Sequence, residues 1–342
     1  MTGPGQTARS WEPTGEGSVR CSLCAHRCRL RPGQAGNCQV RVNERGTLIS
    51  TVHGRLVAAN VDPIEKKPIS HYHPGSLSFS VATAGCNMRC LFCQNASISQ
   101  WRRSPLRDPP GDRWTAEKVV AAAARAGCRS IAFTYTEPTL GLAFAEEVAA
   151  LAGPEGIGVA FVTNGFMTPE TVAVLAGFLE AANVDLKAMR ERTYRRVSKA
   201  RLAPVLRTIE GLVQAGVWIE VTTLVVPGLN DGEDELREIA RFLAGVGPQV
   251  PWHISAFHPT YRMTDRPRTP VATLRRAYEI GHEEGLRYVY VGNVPGGEGE
   301  STRCPRDGTL LVERQGYTIG RVTLDRSGRC PSCGEPIAGV WR

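Results

Sequence analysis

The sequence predicts an α/β fold built as a partial (β/α)6-type barrel, with a cysteine-rich segment before it and a cysteine-bearing tail after it. Two observations support this fold class. Apolar strand-like runs alternate with helix-like stretches between residues 75 and 300. Ten of the eleven cysteines fall into three clusters, and two of these clusters lie outside that region.

The chain divides into four segments. We interpret residues 1–17 as a flexible tail, 18–74 as a cysteine-rich metal or cluster segment, 75–300 as the barrel and 301–342 as a C-terminal module. The first residues are rich in Gly, Thr and Pro and lack the apolar stretch of a signal peptide. No apolar run reaches the length of a membrane span. We therefore expect a cytoplasmic protein with no membrane partner.

Seven strand-like runs and six helix-like stretches make up the predicted barrel. The strands are expected at 76–83, 130–135, 157–163, 183–187, 218–226, 252–257 and 287–293. The helices are expected at 115–127, 138–152, 169–180, 202–215, 231–244 and 270–284. Continuous apolar strands between helices are typical of a parallel sheet. A doubly wound open sheet is the alternative, and in a barrel the functional residues follow the strands' carboxyl ends.

The formal net charge of +8 comes from basic residues, mostly arginine, that are scattered along the chain. Proteins that bind nucleic acids concentrate positive charge in a patch or stripe. The sequence shows no such stripe with interleaved aromatic residues, so we do not expect a nucleic-acid partner. Clustered cysteines without a secretion signal indicate metal or redox cofactors instead.

Residues 83–95 read TAGCNMRCLFCQN and directly follow the first predicted barrel strand. Cys86, Cys90 and Cys93 can hold three irons of a four-iron cluster and leave the fourth iron open. A cluster that only transfers electrons does not need an open iron, whereas a cluster that binds a substrate-like molecule does. The alternatives are a zinc site with a distant fourth ligand, as in a non-catalytic metal-binding or electron-transfer protein, and three unrelated buried cysteines.

With Phe92 before its last cysteine, this loop resembles the signature of the radical SAM superfamily. The resemblance implies a TIM-like radical SAM barrel with a [4Fe-4S] cluster and S-adenosylmethionine (SAM) as cofactors. It also implies reductive cleavage of SAM to a 5′-deoxyadenosyl radical, which abstracts hydrogen from a substrate that the sequence does not identify. A reducing flavodoxin or ferredoxin is the expected electron donor.

The second predicted strand ends in YTEP, where the superfamily usually has GGEP. Glu137 matches the acid that receives the SAM amino group, and Tyr135 and Thr136 replace the two glycines. The resemblance therefore implies that Glu137 binds SAM. Its position at a strand end favours this role, and a cap at the start of the following helix is the alternative.

Two further strand ends, VTNG and VDLK, and the motif FHP resemble those of pyruvate formate-lyase activating enzymes. This resemblance implies SAM contacts for Thr163, Asn164, Asp185, Lys187 and His258. Asp185 and Lys187 lie two positions apart, so they share one face of a strand. A buried salt bridge without a chemical role is the alternative interpretation of this pair.

Longer stretches resemble a narrower family, the AmmeMemoRadiSam system radical SAM enzymes. The matching stretches include CSLCAHRCRLRPGQAGNCQVRVN, YHPGSLSFSVATAGCNMRCLFCQN, LVVPGLND, PWHISAFHP and YVYVGNVPG, so that the resemblance spans about residues 21–341. It implies AMMECR-type and Memo-type proteins as partners. Similarity to the activating enzymes leaves a glycyl-radical enzyme activase as the alternative function.

Two further groups of residues have metal-ligand spacing. The N-terminal quartet consists of Cys21, Cys24, Cys28 and Cys38. Four thiolates make a closed site for zinc or for an auxiliary iron–sulfur cluster, and His26 is a further candidate ligand. The tail contains a zinc-ribbon-like group of Cys304, Asp307, Cys330 and Cys333, in which Asp307 stands where a fourth cysteine is expected.

Four polar residues on otherwise apolar strands are our candidates for the substrate pocket. They are Glu220 and Thr222 on one strand, and His253 and Ser255 on the next. The two residues of each pair are two positions apart in the sequence, so their side chains lie on the same face of the strand. Cys128, which stands outside the clusters, is expected to be a buried structural residue.

Overall fold

A computed structural model describes residues 5–102, 108–294, 299–325 and 327–341. Its centre is an eight-stranded sheet in which seven strands run parallel and an eighth, at one edge, runs antiparallel. Small antiparallel sheets precede and follow it. None of the described helices has the length and apolar character needed to cross a bilayer.

The strands are numbered in chain order. They are β1 (Gln6–Thr7), β2 (Trp11–Pro13), β3 (Val19–Cys21), β4 (Arg29–Leu30), β5 (Arg41–Glu44), β6 (Thr47–Ser50), β7 (Arg55–Leu56), β8 (Ala58–Pro63), β9 (Leu77–Ala82), β10 (Asp112–Arg113), β11 (Ser130–Phe133), β12 (Gly158–Thr163), β13 (Ala181–Asp185), β14 (Trp218–Val225), β15 (Trp252–Ala256), β16 (Val289–Gly292), β17 (Thr302–Arg303), β18 (Leu310–Gln315) and β19 (Thr318–Val322).

The helices are numbered in the same way. They are α1 (Ala96–Ser99), α2 (Ala116–Arg125), α3 (Leu142–Ala152), α4 (Pro169–Leu175), α5 (Glu191–Thr193), α6 (Leu202–Gln214), α7 (Glu233–Val246) and α8 (Val271–Glu283). Short 3-10 helices occupy Ile64–Lys66, Pro138–Gly141 and Gly153–Glu155, and one turn of π-helix occupies Tyr194–Ser198.

The order of the central sheet confirms the predicted fold class. It runs β16-β15-β14-β13-β12-β11-β9-β8, with α2, α3, α4, α6, α7 and α8 as the six connecting helices. Among the described residues, no pairing joins the end strands β8 and β16, so the barrel is partial. All seven predicted barrel strands form, each within two residues of its expected start.

Two parts of the structure differ from the sequence-based expectations. Helix α4 ends at Leu175 instead of near residue 180, because the chain turns at Gly177, whose amide donates to the Val174 carbonyl. The described part of the expected tail forms β1 and β2, which pair with β6 and β3. Strands of two or three residues are too short to show alternation, so their pairing depends on the tertiary structure. Residues 1–4 of that tail lie outside the described residues.

The N-terminal cysteine segment packs directly against the three-cysteine loop at Gly85. This glycine has a φ of +96°, which side chains rarely adopt. A Cβ atom there would lie 2.8 Å from Val40 Cγ1 and 3.1 Å from the Cys38 carbonyl oxygen. The close approach requires glycine immediately before the first cysteine of the loop.

We predict that Gly85→Ala destabilises the protein by more than the backbone strain alone. A left-handed alanine costs roughly 1–2 kcal/mol, and overpacking against Val40 adds about 1–3 kcal/mol. Gly127→Ala is the matched control, because Gly127 also has a positive φ of +65° but a Cβ atom there would meet nothing within 4 Å. Anaerobic urea unfolding of both variants measures the difference. Equal losses would contradict the packing argument.

Candidate active site

The three-cysteine loop follows β9 at the carboxyl edge of the sheet and is held by backbone hydrogen bonds. The amides of Arg89 and Leu91 donate to the carbonyl oxygens of Ser198 and Val197, at 2.9 and 3.0 Å. These two carbonyls belong to the π-helical turn that follows α5. These two hydrogen bonds connect the cysteine loop to that turn and define part of its conformation.

The predicted cluster and SAM residues line one cavity of about 930 Å³ at this edge. The cluster side of the wall consists of Cys86, Cys90, Phe92 and Cys93. Phe92 is also one of the seven residues predicted to contact SAM, and the other six, which lie at or just after the ends of four strands, line the cavity as well: Glu137, Thr163, Asn164, Asp185, Lys187 and His258. The structure thus brings together residues that are up to 172 positions apart, from Cys86 to His258.

Nearby donors hydrogen-bond to the thiols of the loop. The Met88 amide lies 3.4 Å and Asn164 Nδ2 lies 3.5 Å from Cys86 Sγ. The Ser99 hydroxyl lies 3.1 Å from Cys93 Sγ. Burial raises the pKa of the Cys86 and Cys90 thiols. Metal binding therefore has to displace their protons, and the donors stabilise the resulting thiolates.

Glu137 is fully buried and connects two strand ends. Its Oε1 accepts from the Thr139 amide at 3.1 Å and from Thr163 Oγ1 at 2.8 Å, and it also accepts from the Thr139 hydroxyl. Its Oε2 accepts from the Asn164 amide at 3.0 Å. Burial raises the pKa of this carboxyl in spite of these bonds. Glu137 caps the 3-10 helix Pro138–Gly141 and also lines the cavity, so its position agrees with both interpretations of this residue from the sequence. Its Oε2, which accepts one hydrogen bond from the Asn164 amide, has a second lone pair that can accept another.

Tyr135 adopts the left-handed conformation, with a φ of +65°, at the position where the superfamily usually has glycine. Such a conformation costs about 1–2 kcal/mol for a residue with a side chain. The Tyr135 hydroxyl hydrogen-bonds to Asp62, and its carbonyl accepts from Asn95 Nδ2 at 2.9 Å. Tyr135 therefore adopts a backbone conformation that glycine readily adopts, and its hydroxyl links this loop to β8 through Asp62.

Asp185 and Lys187 form an ion pair of 2.7 Å that faces the cavity. Burial alone would lower the pKa of Lys187, but Asp185 and the Cys90 thiol outweigh it and raise this pKa. The Lys187 ammonium also lies 5.8 Å from the centre of the Phe92 ring. A cation next to the cysteine loop offsets the negative charge that thiolate ligands bring.

Three of the four candidates for the substrate pocket line the cavity: Thr222, His253 and Ser255. Glu220 does not, which corrects our expectation. It is completely buried behind the wall and accepts from His253 Nε2 at 2.6 Å and from the Ser70 and His71 amides at 2.9 and 2.7 Å. Glu220 therefore holds His253 and the 70–71 backbone in place.

Sequence reasoning missed the cavity residues that come from outside the barrel core. They include Glu65, Lys66 and Ser70 before β9, and Glu300, Arg314 and Tyr317 after β16. No spacing pattern marks them, because they reach the cavity from two segments that meet only in the folded protein. Arg314 Nη2 donates to the Ser70 carbonyl at 2.6 Å and thereby joins these two segments.

Comparisons with known proteins agree with this geometry. The family model "Radical SAM superfamily" matches residues 80–243. An uncharacterized protein of Methanocaldococcus jannaschii is 41% identical over 332 residues, which cover 96% of this chain and 98% of that protein. The chain belongs to the radical SAM superfamily. A GTP 3′,8-cyclase of Heliobacterium modesticaldum is 29% identical over 73% of this chain and 74% of its own length.

Two solved structures share the radical SAM fold. SuiB of Streptococcus suis bound to SAM has a TM-score of 0.50 and 14% identity, over 67% of this chain and 53% of that chain. A radical SAM methyltransferase from Sphaerobacter thermophilus has a TM-score of 0.50 and 16% identity, over 67% and 71% of the two chains. At this level of identity the similarity supports the fold and not a shared substrate.

Radical SAM proteins use a [4Fe-4S] cluster and SAM, and the residues of this chain fit both groups. Cys86, Cys90 and Cys93 are free thiols that face the cavity and would hold the cluster. Glu137 and Asn164 offer acceptors and donors where SAM would bind. When bound, these cofactors supply reductive cleavage of the SAM sulfonium and a radical that abstracts hydrogen. The chain orients them and limits the access of water.

The N-terminal quartet also comes together in the folded chain. A Cβ atom on Gly36 would lie 3.7 Å from both Cys28 Sγ and Cys38 Sγ. Burial raises the pKa of Cys24, and the neighbouring Cys38, Cys21 and Cys28 raise it further. His26, the further candidate ligand, has its Nε2 within hydrogen-bond distance of the Asn87 carbonyl of the three-cysteine loop, at 2.8 Å.

Four thiolates can hold either a zinc ion or an auxiliary iron–sulfur cluster, and the two centres place their ligands differently. Among the described residues, one group of at least three His, Cys, Asp or Glu side chains has all its ligand atoms within 4.8 Å of one another, and this group lies in the tail. A tetrahedral zinc site needs sulfurs about 3.8 Å apart, given Zn–S bonds of about 2.3 Å. A four-iron cube binds each thiolate to a different iron and so separates them further. Zinc and an auxiliary cluster therefore differ in the sulfur separations that they require, and metal analysis distinguishes them.

We predict that Ser99→Ala lowers the reduction potential of the cluster at Cys86, Cys90 and Cys93. A hydrogen bond to a ligand thiolate stabilises the reduced cluster, and this variant removes one from Cys93. An anaerobic redox titration followed by electron paramagnetic resonance measures the change. Ser97→Ala, an exposed serine in the same helix, is the control. An unchanged potential in Ser99→Ala would contradict this role.

If the quartet holds an auxiliary four-iron cluster, we predict about eight irons per chain after anaerobic reconstitution, from two four-iron clusters. Cys24→Ser should reduce this number to about four and leave the signal of the cluster at Cys86, Cys90 and Cys93 intact. Iron and sulfide assays with Mössbauer spectroscopy measure both quantities. Four irons in the wild-type chain, with zinc that is lost in Cys24→Ser, would show instead that the quartet is a zinc site.

Proposed function

We propose that this protein is a cytosolic radical SAM enzyme that generates a 5′-deoxyadenosyl radical and uses it to abstract hydrogen from a small polar molecule. The proposal rests on the observation that one cavity is shared by two sets of residues: the cysteine loop lines one side, and Thr222, His253 and Arg314 line the other. Cofactor residues and an additional polar wall therefore face the same space. A substrate placed there would lie beside SAM, as hydrogen abstraction requires.

The polar wall contains groups whose bonding capacity is unused. Within the described parts of the chain, Thr222 Oγ1, Glu65 Oε2 and Arg314 Nε are buried atoms without a hydrogen-bond partner. Leaving a buried polar group unpaired costs about 1–3 kcal/mol. The residues that carry these atoms all line the cavity, so its wall is polar on this side, which supports a polar substrate over an apolar one.

The charges of the wall favour a substrate of mixed polarity over a nucleoside triphosphate such as the GTP in the name of the cyclase relatives. Two of the cations that line the cavity have close acidic partners, Lys66 with Asp62 at 2.8 Å and Lys187 with Asp185 at 2.7 Å, and the Arg314 guanidinium lies 4.0 Å from Glu65 without a hydrogen bond between them. A triphosphate binds best where several cations lack such partners. A molecule that carries both an acid and a basic or neutral polar group fits this wall better.

The electron donor and the pathway partners belong to the same proposal. A reduced flavodoxin or ferredoxin would supply the electron. The resemblance to AmmeMemoRadiSam system enzymes supports AMMECR-type and Memo-type proteins as functional partners. A glycyl-radical activase would instead have to admit a polypeptide, and the cavity wall formed by Glu300 and Tyr317 from the tail supports the smaller substrate.

We predict that the reconstituted protein releases 5′-deoxyadenosine from SAM in the presence of dithionite, and that Cys90→Ser abolishes the release by removing a cluster ligand. Liquid chromatography with mass spectrometry measures the product. Cys128→Ser is the matched control, because Cys128 is a buried cysteine that does not line the cavity.

Two outcomes would contradict the proposed function. One is equal release from the native protein and from Cys90→Ser. The other is no release from a protein whose cluster is intact and whose spectrum does not change when SAM is added.

A further inference from the structure

The C-terminal tail contains two copies of a six-residue pattern. Residues 303–308 read RCPRDG and residues 329–334 read RCPSCG. The copies differ at their fourth and fifth positions, and the fifth position is Asp307 in the first copy and Cys333 in the second. A repeat of this kind predicts two equivalent turns.

The two copies form the same hydrogen-bonded turn. The Cys304 amide donates to the Thr309 carbonyl at 2.9 Å, and the Cys330 amide donates to the Glu335 carbonyl at 2.9 Å. The glycine at the end of each copy donates to the carbonyl of its cysteine, again at 2.9 Å in both. Both glycines have a positive φ, +75° for Gly308 and +73° for Gly334.

The arginine that opens each copy closes its turn in the same way. Arg303 Nη1 donates to the Gly308 carbonyl at 3.1 Å, and Arg329 Nη1 donates to the Gly334 carbonyl at 2.9 Å. The two turns are therefore structural equivalents, and the Asp307 carboxylate occupies the place that the Cys333 thiol has in the other copy.

The four side chains converge to the dimensions of a tetrahedral site. Cys304 Sγ lies 3.6 Å from Cys333 Sγ, and Cys330 Sγ lies 3.7 and 3.8 Å from the two oxygens of Asp307. One ligand atom from each residue lies within 4.8 Å of all the others. A tetrahedron with Zn–S bonds of about 2.3 Å and Zn–O bonds of about 2.0 Å has edges of about 3.8 Å between sulfurs and about 3.5 Å between sulfur and oxygen.

We propose that Cys304, Asp307, Cys330 and Cys333 bind one structural zinc ion, with the Asp307 carboxylate as the fourth ligand. Three thiolates exclude the hard cations calcium and magnesium, which prefer oxygen ligands. The close spacing fits one ion and not a four-iron cube. Four protein ligands close the coordination sphere, as in structural rather than catalytic zinc sites.

The proposed zinc site lies next to the three-stranded sheet that contributes Arg314 to the cavity wall. Cys304 directly follows β17, whose Thr302 accepts from Arg314 Nη1 at 2.6 Å and hydrogen-bonds to Tyr290 at 2.7 Å. Arg314 lies on β18 and lines the cavity. The zinc ion therefore stabilises the sheet formed by β17, β18 and β19, and this sheet positions Arg314 in the cavity wall.

The test counts zinc separately from iron, by plasma mass spectrometry on the full chain purified anaerobically. We expect Asp307→Ala to lose one zinc ion per chain relative to the wild type. Asp307→Cys should retain it, because the second turn shows that a cysteine fits this position. Glu313→Ala, which removes an exposed acid of β18, is the matched control and should also retain the ion.

Cobalt substitution gives a second measurement that does not depend on folding yield. Cobalt in the wild-type protein should show visible absorption typical of a tetrahedral site, and Asp307→Cys should shift it by adding a fourth thiolate. Unchanged cobalt absorption in Asp307→Cys would overturn the role of Asp307. A zinc count that is the same in the wild type and in the double variant Cys330→Ser and Cys333→Ser would overturn the site itself.

Discussion

Parallel pairing of β9, β11, β12 and β13 is the constraint on which the rest of the site depends. The paired strands end at one edge of the sheet, where Phe133 is in register with Phe161 and Thr163 with Val184. The cysteine loop and Glu137 follow such ends, and Thr163 and Asp185 are the last residues of β12 and β13, so these groups meet although helices separate them in sequence. If one of these strands slipped by a residue, every side chain on it would move to the opposite face.

The charged side chains at this edge have hydrogen-bond or ion-pair partners within the protein. Glu137 accepts hydrogen bonds from Thr139, Thr163 and Asn164, and Asp185 pairs with Lys187. Burying unpaired charges would be costly, whereas paired ones hold the loops in a fixed geometry. These contacts connect the strand ends that carry the cavity residues and so define the positions of those residues relative to one another.

The two cysteine-bearing segments extend the barrel on opposite sides of the cavity. The N-terminal quartet contacts the three-cysteine loop through Gly85 and through the hydrogen bond between His26 and the Asn87 carbonyl. The C-terminal module contacts the strand-connecting segment before β9, where the His71 carbonyl accepts from the Val340 amide at 2.7 Å. One segment thus supports the cluster side of the cavity, and the other supplies part of the wall that faces the substrate.

The sequence by itself determined the fold class, the cysteine loop and the residues at successive strand ends, because these depend on local periodicity and short spacing. It could not determine that Glu220 lies behind the cavity wall, because alternation assigns a face of a strand and not what covers that face. Nor could it identify Glu65 or Arg314, which reach the cavity from outside the barrel core. It also left open whether Asp307 could replace a thiol, since only the folded tail shows that its two turns are equivalent and that four ligands converge. Periodicity in the sequence shows which face of a strand or helix is buried, but it carries no signal for which distant segments meet in the folded protein.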